Sequence, residues 1–150
     1  MSISRRSIAS TLAARFLPEN ITAPSGETTV QTSTWLLPDR INQTPAFFIF
    51  PPEEEFSYPP SMRTSAMDWR ARLFLYKLAD TARQTDLLYR WSDALYDQLD
   101  DSVHLSIPST VLTADVMGMK AGTLTYADES FDGVELVIHV AAQEAVTFSG

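Results

Sequence analysis

The groups in this chain that could do chemistry are few. His104 and His139 are its two imidazoles, and there is no cysteine. Thiol nucleophiles, thiolate metal sites and disulfides are therefore excluded. His139 alternates with Glu135 and Val137 along a run whose other phase is apolar. A general base needs an activated nucleophile or a second ligand beside it, and no serine elbow accompanies either histidine. Both read as surface or interface histidines, and no catalytic residue is expected. Two clusters of carboxylates stand out, Glu53, Glu54 and Glu55, then Asp128, Glu129 and Asp132. Oxygen ligands of this kind could hold a hard cation, but neither group has the spacing of a calcium loop. Consecutive acids on an extended chain also point in different directions. They read as solvated acidic loops, the second an acidic turn, and no metal is expected. The run from Gly118 to Gly122 includes Lys120 but lacks the Gly-Lys-Ser/Thr ending and following helix of a phosphate loop. No cofactor follows from it.

Arg70 and Arg72 lie two apart with Tyr76 in the same phase, on the polar side of an alternating run. Planar guanidinium forks suit carboxylates on a neighbouring chain, and arginine and tyrosine are common interface anchors. A homo-oligomer would bring them to the acids of the next subunit.

The elements that must position these groups follow from periodicity. Ile8, Leu12 and Phe16 fall at i, i+4 and i+8, predicting a short helix that begins after Ser2 or Ser4 and is stopped by Pro18. Glu19 to Glu27 is a loop, and Thr28 to Leu37, rich in β-branched residues, reads as a strand. Ala46 to Phe50 is apolar in both phases and reads as a central strand. Residues 51–66 open with Pro51 and Pro52 and also hold Pro59 and Pro60. Prolines cannot donate and fix φ, so this segment is expected to leave the sheet as an extended arm, with Phe56 and Tyr58 as anchors and Glu53, Glu54 and Glu55 setting its register. Met67, Trp69, Ala71, Leu73 and Leu75 give the next strand its core face. Leu88, Trp91, Leu95 and Leu99 form the stripe of a central amphipathic helix, with Thr81 or Thr85 as its cap and Asp86 and Arg90 as an i, i+4 pair. Strands are expected at Val103 to Ile107, at about Thr110 to Met119 and at Val134 to Ala142, with an acidic turn from Gly122 to Gly133 between the last two. The fold class is α+β, a mainly antiparallel sheet with an N-terminal and a central amphipathic helix on one face, in a single domain over residues 1–150.

A chain of 150 residues with 45% hydrophobic content can build its own core. Its charge of −8 is uneven: residues 1–50 carry +1, residues 51–100 carry −3 and residues 101–150 carry −6. Clustered cations are needed to grip phosphates, so nucleic-acid binding is not expected. No apolar stretch reaches the length of a membrane span, and Ser10, Thr11 and Arg15 interrupt any signal-peptide core near the N-terminus.

The order of elements resembles the tail terminator proteins of long-tailed bacteriophages, a family of head-to-tail connector subunits. The resemblance is carried by the helix Ser4 to Phe16, the strand at Pro45 to Phe50, the long strand Asp68 to Tyr76, the helix Leu87 to Leu99 and the closing strand Val134 to Val140. It implies a structural virion protein, with no enzymatic activity, that is assembled in the host cytoplasm. Six copies would form a ring that caps the tail tube, contacting the tube protein and the neighbouring stopper of the neck. DNA would pass through the channel without specific binding. On that reading the 51–66 arm reaches a sister subunit or an adjoining ring. The alternatives are another neck or tail-completion connector, a small cytosolic ligand-binding domain, or an adaptor that offers its arm to a peptide.

Overall fold

The computed structural model describes residues 4–57, 62–80, 82–99 and 111–145. The elements are α1 (Arg5–Arg15), β1 (Thr32–Thr34), β2 (Ala46–Ser57), β3 (Met62–Lys77), α2 (Thr85–Leu99), β4 (Val111–Tyr126) and β5 (Glu129–Ala145). The five strands form one sheet in the order β1-β2-β3-β5-β4. Only the β1–β2 pair is parallel; the other three pairs are antiparallel. The expected α+β class, with both helices against one face, is what the chain adopts.

Ser4 starts α1 by accepting the Ser7 N–H on its hydroxyl oxygen, at 3.2 Å. Ile8, Leu12 and Phe16 are fully buried, and the Phe16 ring stacks on Phe47 of β2 at 4.5 Å between centroids. The stripe of α2 is buried as its spacing predicts, through Leu88, Trp91, Leu95 and Leu99. Thr85 is the first residue of that helix, and Thr81 lies outside the described residues. The C-terminal turn of α2 is tied down by its neighbours. Arg15 donates to the Gln98 carbonyl, and the Gln98 amide both accepts from the Thr22 N–H and donates to the Thr22 carbonyl. Arg90 meets Glu27 at 2.8 Å and Asp86 at 3.8 Å, the latter being the anticipated i, i+4 pair.

Both phases of Ala46 to Phe50 are indeed apolar because both faces of the sheet are covered there. Phe47 and Ile49 join the main core under the helices. Ala46 and Phe48 join a second, aromatic cluster on the opposite face with Ile41, Phe74 and Phe131, against which Phe50, Leu124 and Tyr126 pack. Phe48, Phe74 and Tyr126 meet edge to face or tilted at 5.1–5.6 Å. Tyr126 also donates its hydroxyl to the Pro38 carbonyl, fixing the β1–β2 connection over this cluster.

Three expectations are corrected. The strand foreseen at Thr28 to Leu37 shrinks to Thr32–Thr34, because the Thr34 hydroxyl accepts the Leu36 N–H and turns the chain out of the sheet. Where the 51–66 segment is described, at residues 51–57 and 62–66, it stays in the sheet. Residues 53–57 of β2 pair with 64–68 of β3, and Pro51 and Pro52 lie in the register shift between Phe50 and Glu53. A bulge leaves its residues outside the ladder, so two prolines are accommodated without costing the strand its pairing. Finally, the turn foreseen over Gly122 to Gly133 contracts to Ala127 and Asp128, both at positive φ (50° and 64°) as a two-residue hairpin demands. The Val103 to Ile107 strand and His104 lie outside the described residues.

Candidate functional site

Strand alternation sorts the charged groups onto the two faces. On the helix-free face, β3, β5 and β4 set Asp68, His139 and Asp115 in one row and Arg72, Glu135 and Lys120 in another. Glu135 is the hub. Its carboxylate accepts from Arg70 Nη1 at 2.9 Å and from Arg72 Nε at 2.6 Å. The Arg72 guanidinium also lies over the Phe50 ring, 4.5 Å from its centroid, at the border with the aromatic cluster. Partial burial works against the charged form of Glu135, but the Arg72 hydrogen bond and the charges of Arg72 and Arg70 outweigh it. Its carboxyl is thereby held below the ordinary carboxylate value. His139 Nδ1 donates to Asp68 Oδ1 at 2.8 Å.

Arg70 and Arg72 share a face as foreseen, and within the chain both guanidinium groups pair with the Glu135 carboxylate. The side-by-side pairing of β3 with β5 puts the three residues in reach of one another. No local pattern in the sequence announces which strand lies beside β3.

Tyr76 is separated from the arginines. The register shift between Phe74 and Tyr76 turns it to the helix side, where it packs half-buried against the main core. Its hydroxyl donates to Asp132 Oδ2 at 2.7 Å and accepts the Gln84 N–H at 2.6 Å, just ahead of α2. Burial, partly offset by the Gln84 hydrogen bond, raises the Tyr76 phenol above its ordinary value, and the Asp132 charge adds to the rise. Arg83 closes the cluster with two hydrogen bonds of 3.1 Å to the Asp132 carboxylate and one of 2.6 Å to Thr123. Asp132, foreseen in a solvated turn, is fully buried. One signal could have revealed it: Asp132 shares the phase of Val134, Leu136, Ile138 and Val140, all core residues.

The remaining foreseen residues are dispersed. Glu53 and Glu55 are exposed, whereas Glu54 points the other way and accepts from Arg5 of α1 at 2.6 Å. Phe56 is in β2, in register with Ser65, and Tyr58 lies outside the described residues. Asp128 stays in the turn, while Glu129 begins β5 and pairs with Lys77 at 2.8 Å. The Gly118 to Gly122 run is strand, inside β4. The acids and arginines therefore do not converge on a point. Among the described residues, no three His, Asp or Glu side chains are placed to hold a metal ion, and no helix is long and apolar enough to cross a membrane.

Two further features went unforeseen. A groove between α2 and β4 is lined by Leu95, Tyr96, Leu99, Asp115, Val116, Met119 and Leu136. The Ser65 hydroxyl and the Trp69 indole N–H are buried with no hydrogen-bond partner among the described residues. What this arrangement offers is a patterned surface, with an alternation of charges on one face and an apolar groove beside a sheet edge. No family model matches the chain, and no curated protein matches it.

Proposed function

We propose that this chain is a structural subunit of a bacteriophage tail, a ring-forming terminator that caps the tail tube and joins it to the neck. The observation that carries the reading is the disposition of the sheet. Both helices cover one face, and a ladder of charges spans three strands of the other. Such a face suits docking against other protein surfaces, where charge pattern sets register and partner choice. The order of helix, hairpin, helix and hairpin supports the same assignment. Because Arg70 and Arg72 are engaged within the chain, contacts between subunits fall to exposed acids such as Glu53, Glu55 and Asp128 and to the sheet edge. The net charge of −8 fits a channel past which DNA slides without being gripped.

Electron microscopy of the purified protein, alone and with tail tubes, tests this reading. Six-fold rings seated at tube ends are the expected result. Protein that leaves tube ends bare but binds the stopper side of the neck would instead make it another connector. Protein that binds neither excludes the whole reading.

A further inference from the structure

Strand β4 closes one side of the sheet, and among the described residues no strand lies along its outer edge. It is 16 residues long and contains no proline. An edge of that length presents a row of backbone donors and acceptors that another strand can satisfy. The sequence of β4 is also complementary to itself. Its positions are fixed by β5: Asp115 lies opposite His139, Val116 opposite Ile138, Gly118 opposite Val137, Met119 opposite Leu136 and Lys120 opposite Glu135. Gly118 is therefore at the midpoint, with Val116 and Met119 one step away and Asp115 and Lys120 two steps away.

We propose that β4 pairs antiparallel with β4 of a second copy, about a two-fold axis at Gly118. In that register Asp115 faces Lys120 of the second copy, and Val116 faces Met119 of the second copy, each pair occurring twice. Gly118 faces its own counterpart and places no side chain at the axis. The bulge at Met117, which has no partner in the β4–β5 ladder, makes this possible. Residues five apart on a regular strand point to opposite faces, and the one extra residue returns Asp115 and Lys120 to the same face. Both charges can then pair across the axis at once. On the helix side the apolar groove between α2 and β4 would continue into its copy. There Tyr96, now 63% exposed, gains cover. The backbone would accept any strand, but two ion pairs and two apolar pairs in a single register are supplied by the chain itself. A two-fold contact closes at two copies, whereas a ring needs head-to-tail contacts, so this inference stands apart from the ring reading.

Sedimentation equilibrium of the full chain tests it with Asp115→Lys, Lys120→Asp and the double exchange. The unaltered chain should show a monomer–dimer equilibrium that weakens with added salt. Each single reversal sets like charges opposite each other at both contacts and should weaken the dimer about tenfold. The double exchange should restore it, which separates the pairing from any damage to the fold. A chain that stays monomeric at about 0.1 mM overturns the proposal. So does a dimer indifferent to the reversals, or a double exchange that is folded by circular dichroism yet still weakened. Six-fold rings unaffected by all three variants would also overturn it while leaving the ring reading intact.

Discussion

The hydroxyl of Tyr76 donates to the carboxylate of Asp132 across the β3–β5 pair, at 2.7 Å, with Asp132 wholly removed from solvent. A buried carboxylate is tolerable only with its lone pairs occupied, and here Tyr76 and the two nitrogens of Arg83 occupy them. The same tyrosine oxygen takes the Gln84 N–H, so this one carboxylate fixes where α2 begins.

Replacing Asp132 with Ala should cost about 2–3 kcal/mol, because it strands the Tyr76 hydroxyl and undoes the Arg83 contact. Arg83→Ala leaves the carboxylate short of partners, although Arg83 is itself half-exposed, which lowers its share. Urea unfolding of both single variants and the double should reveal coupling of about 1 kcal/mol. Strictly additive costs would show that the two residues do not act as a unit.

Glu135 predicts an acid-sensitive contribution to stability. Its folded value is lowered from the ordinary 4.5, so the folded chain binds this proton less readily than the unfolded chain. The stabilisation is complete above that ordinary value and fades as pH falls through the folded one. Glu135→Gln should therefore cost about 1 kcal/mol at neutral pH, a figure reduced for the exposure of Arg70 and Arg72. The gap between the two proteins should shrink below pH 4.5. A gap constant from pH 7 down to pH 3 would contradict the assignment.

Two glycines in adjoining strands should respond differently. A methyl on Gly133 would collide with the Leu73 carbonyl oxygen and come within 2.9 Å of the Leu124 side chain. Because the obstacle is backbone, Gly133→Ala should cost about 3 kcal/mol or more. At Gly118 the nearest atom to an added methyl is Val137 Cβ at 4.0 Å, so Gly118→Ala should change stability by under about 1 kcal/mol. Thermal unfolding of the pair checks the contrast.

Excising residues 51–66 should destroy the fold. That stretch supplies the outer half of β2 and a part of β3 that is paired on both sides, to β2 and to β5. Loss of a cooperative unfolding transition is the expected readout. A folded, cooperative remainder would mean that the segment is an appendage after all.

Local periodicity is legible in a sequence, whereas strand order is not. The stripes of α1 and α2, and the core phase of β3 and β5, are periodic and local, so Ile8, Leu12, Trp69, Trp91, Leu136 and Ile138 all fall where spacing puts them. What depends on strand order is not local. Glu135 could be matched to Arg70 and Arg72 only after β5 was known to lie beside β3. The prolines misled in a different way: lacking an N–H argues against a ladder position, but a bulge has unpaired positions to give. Asp132 was hidden by its neighbours, since Asp128, Glu129 and Gly133 look like a turn, while its phase belongs to the core.

The moorings of α2 have a mechanical meaning. Its first turn adjoins the middle of the sheet through Gln84 and Tyr76, and its last turn is bound to the loop beyond α1 through Gln98, Thr22 and Arg15. A rod pinned at both ends to different parts of a body can neither slide nor roll. In that arrangement α2 is braced like a strut between the Thr22 loop and the Tyr76–Asp132 pair.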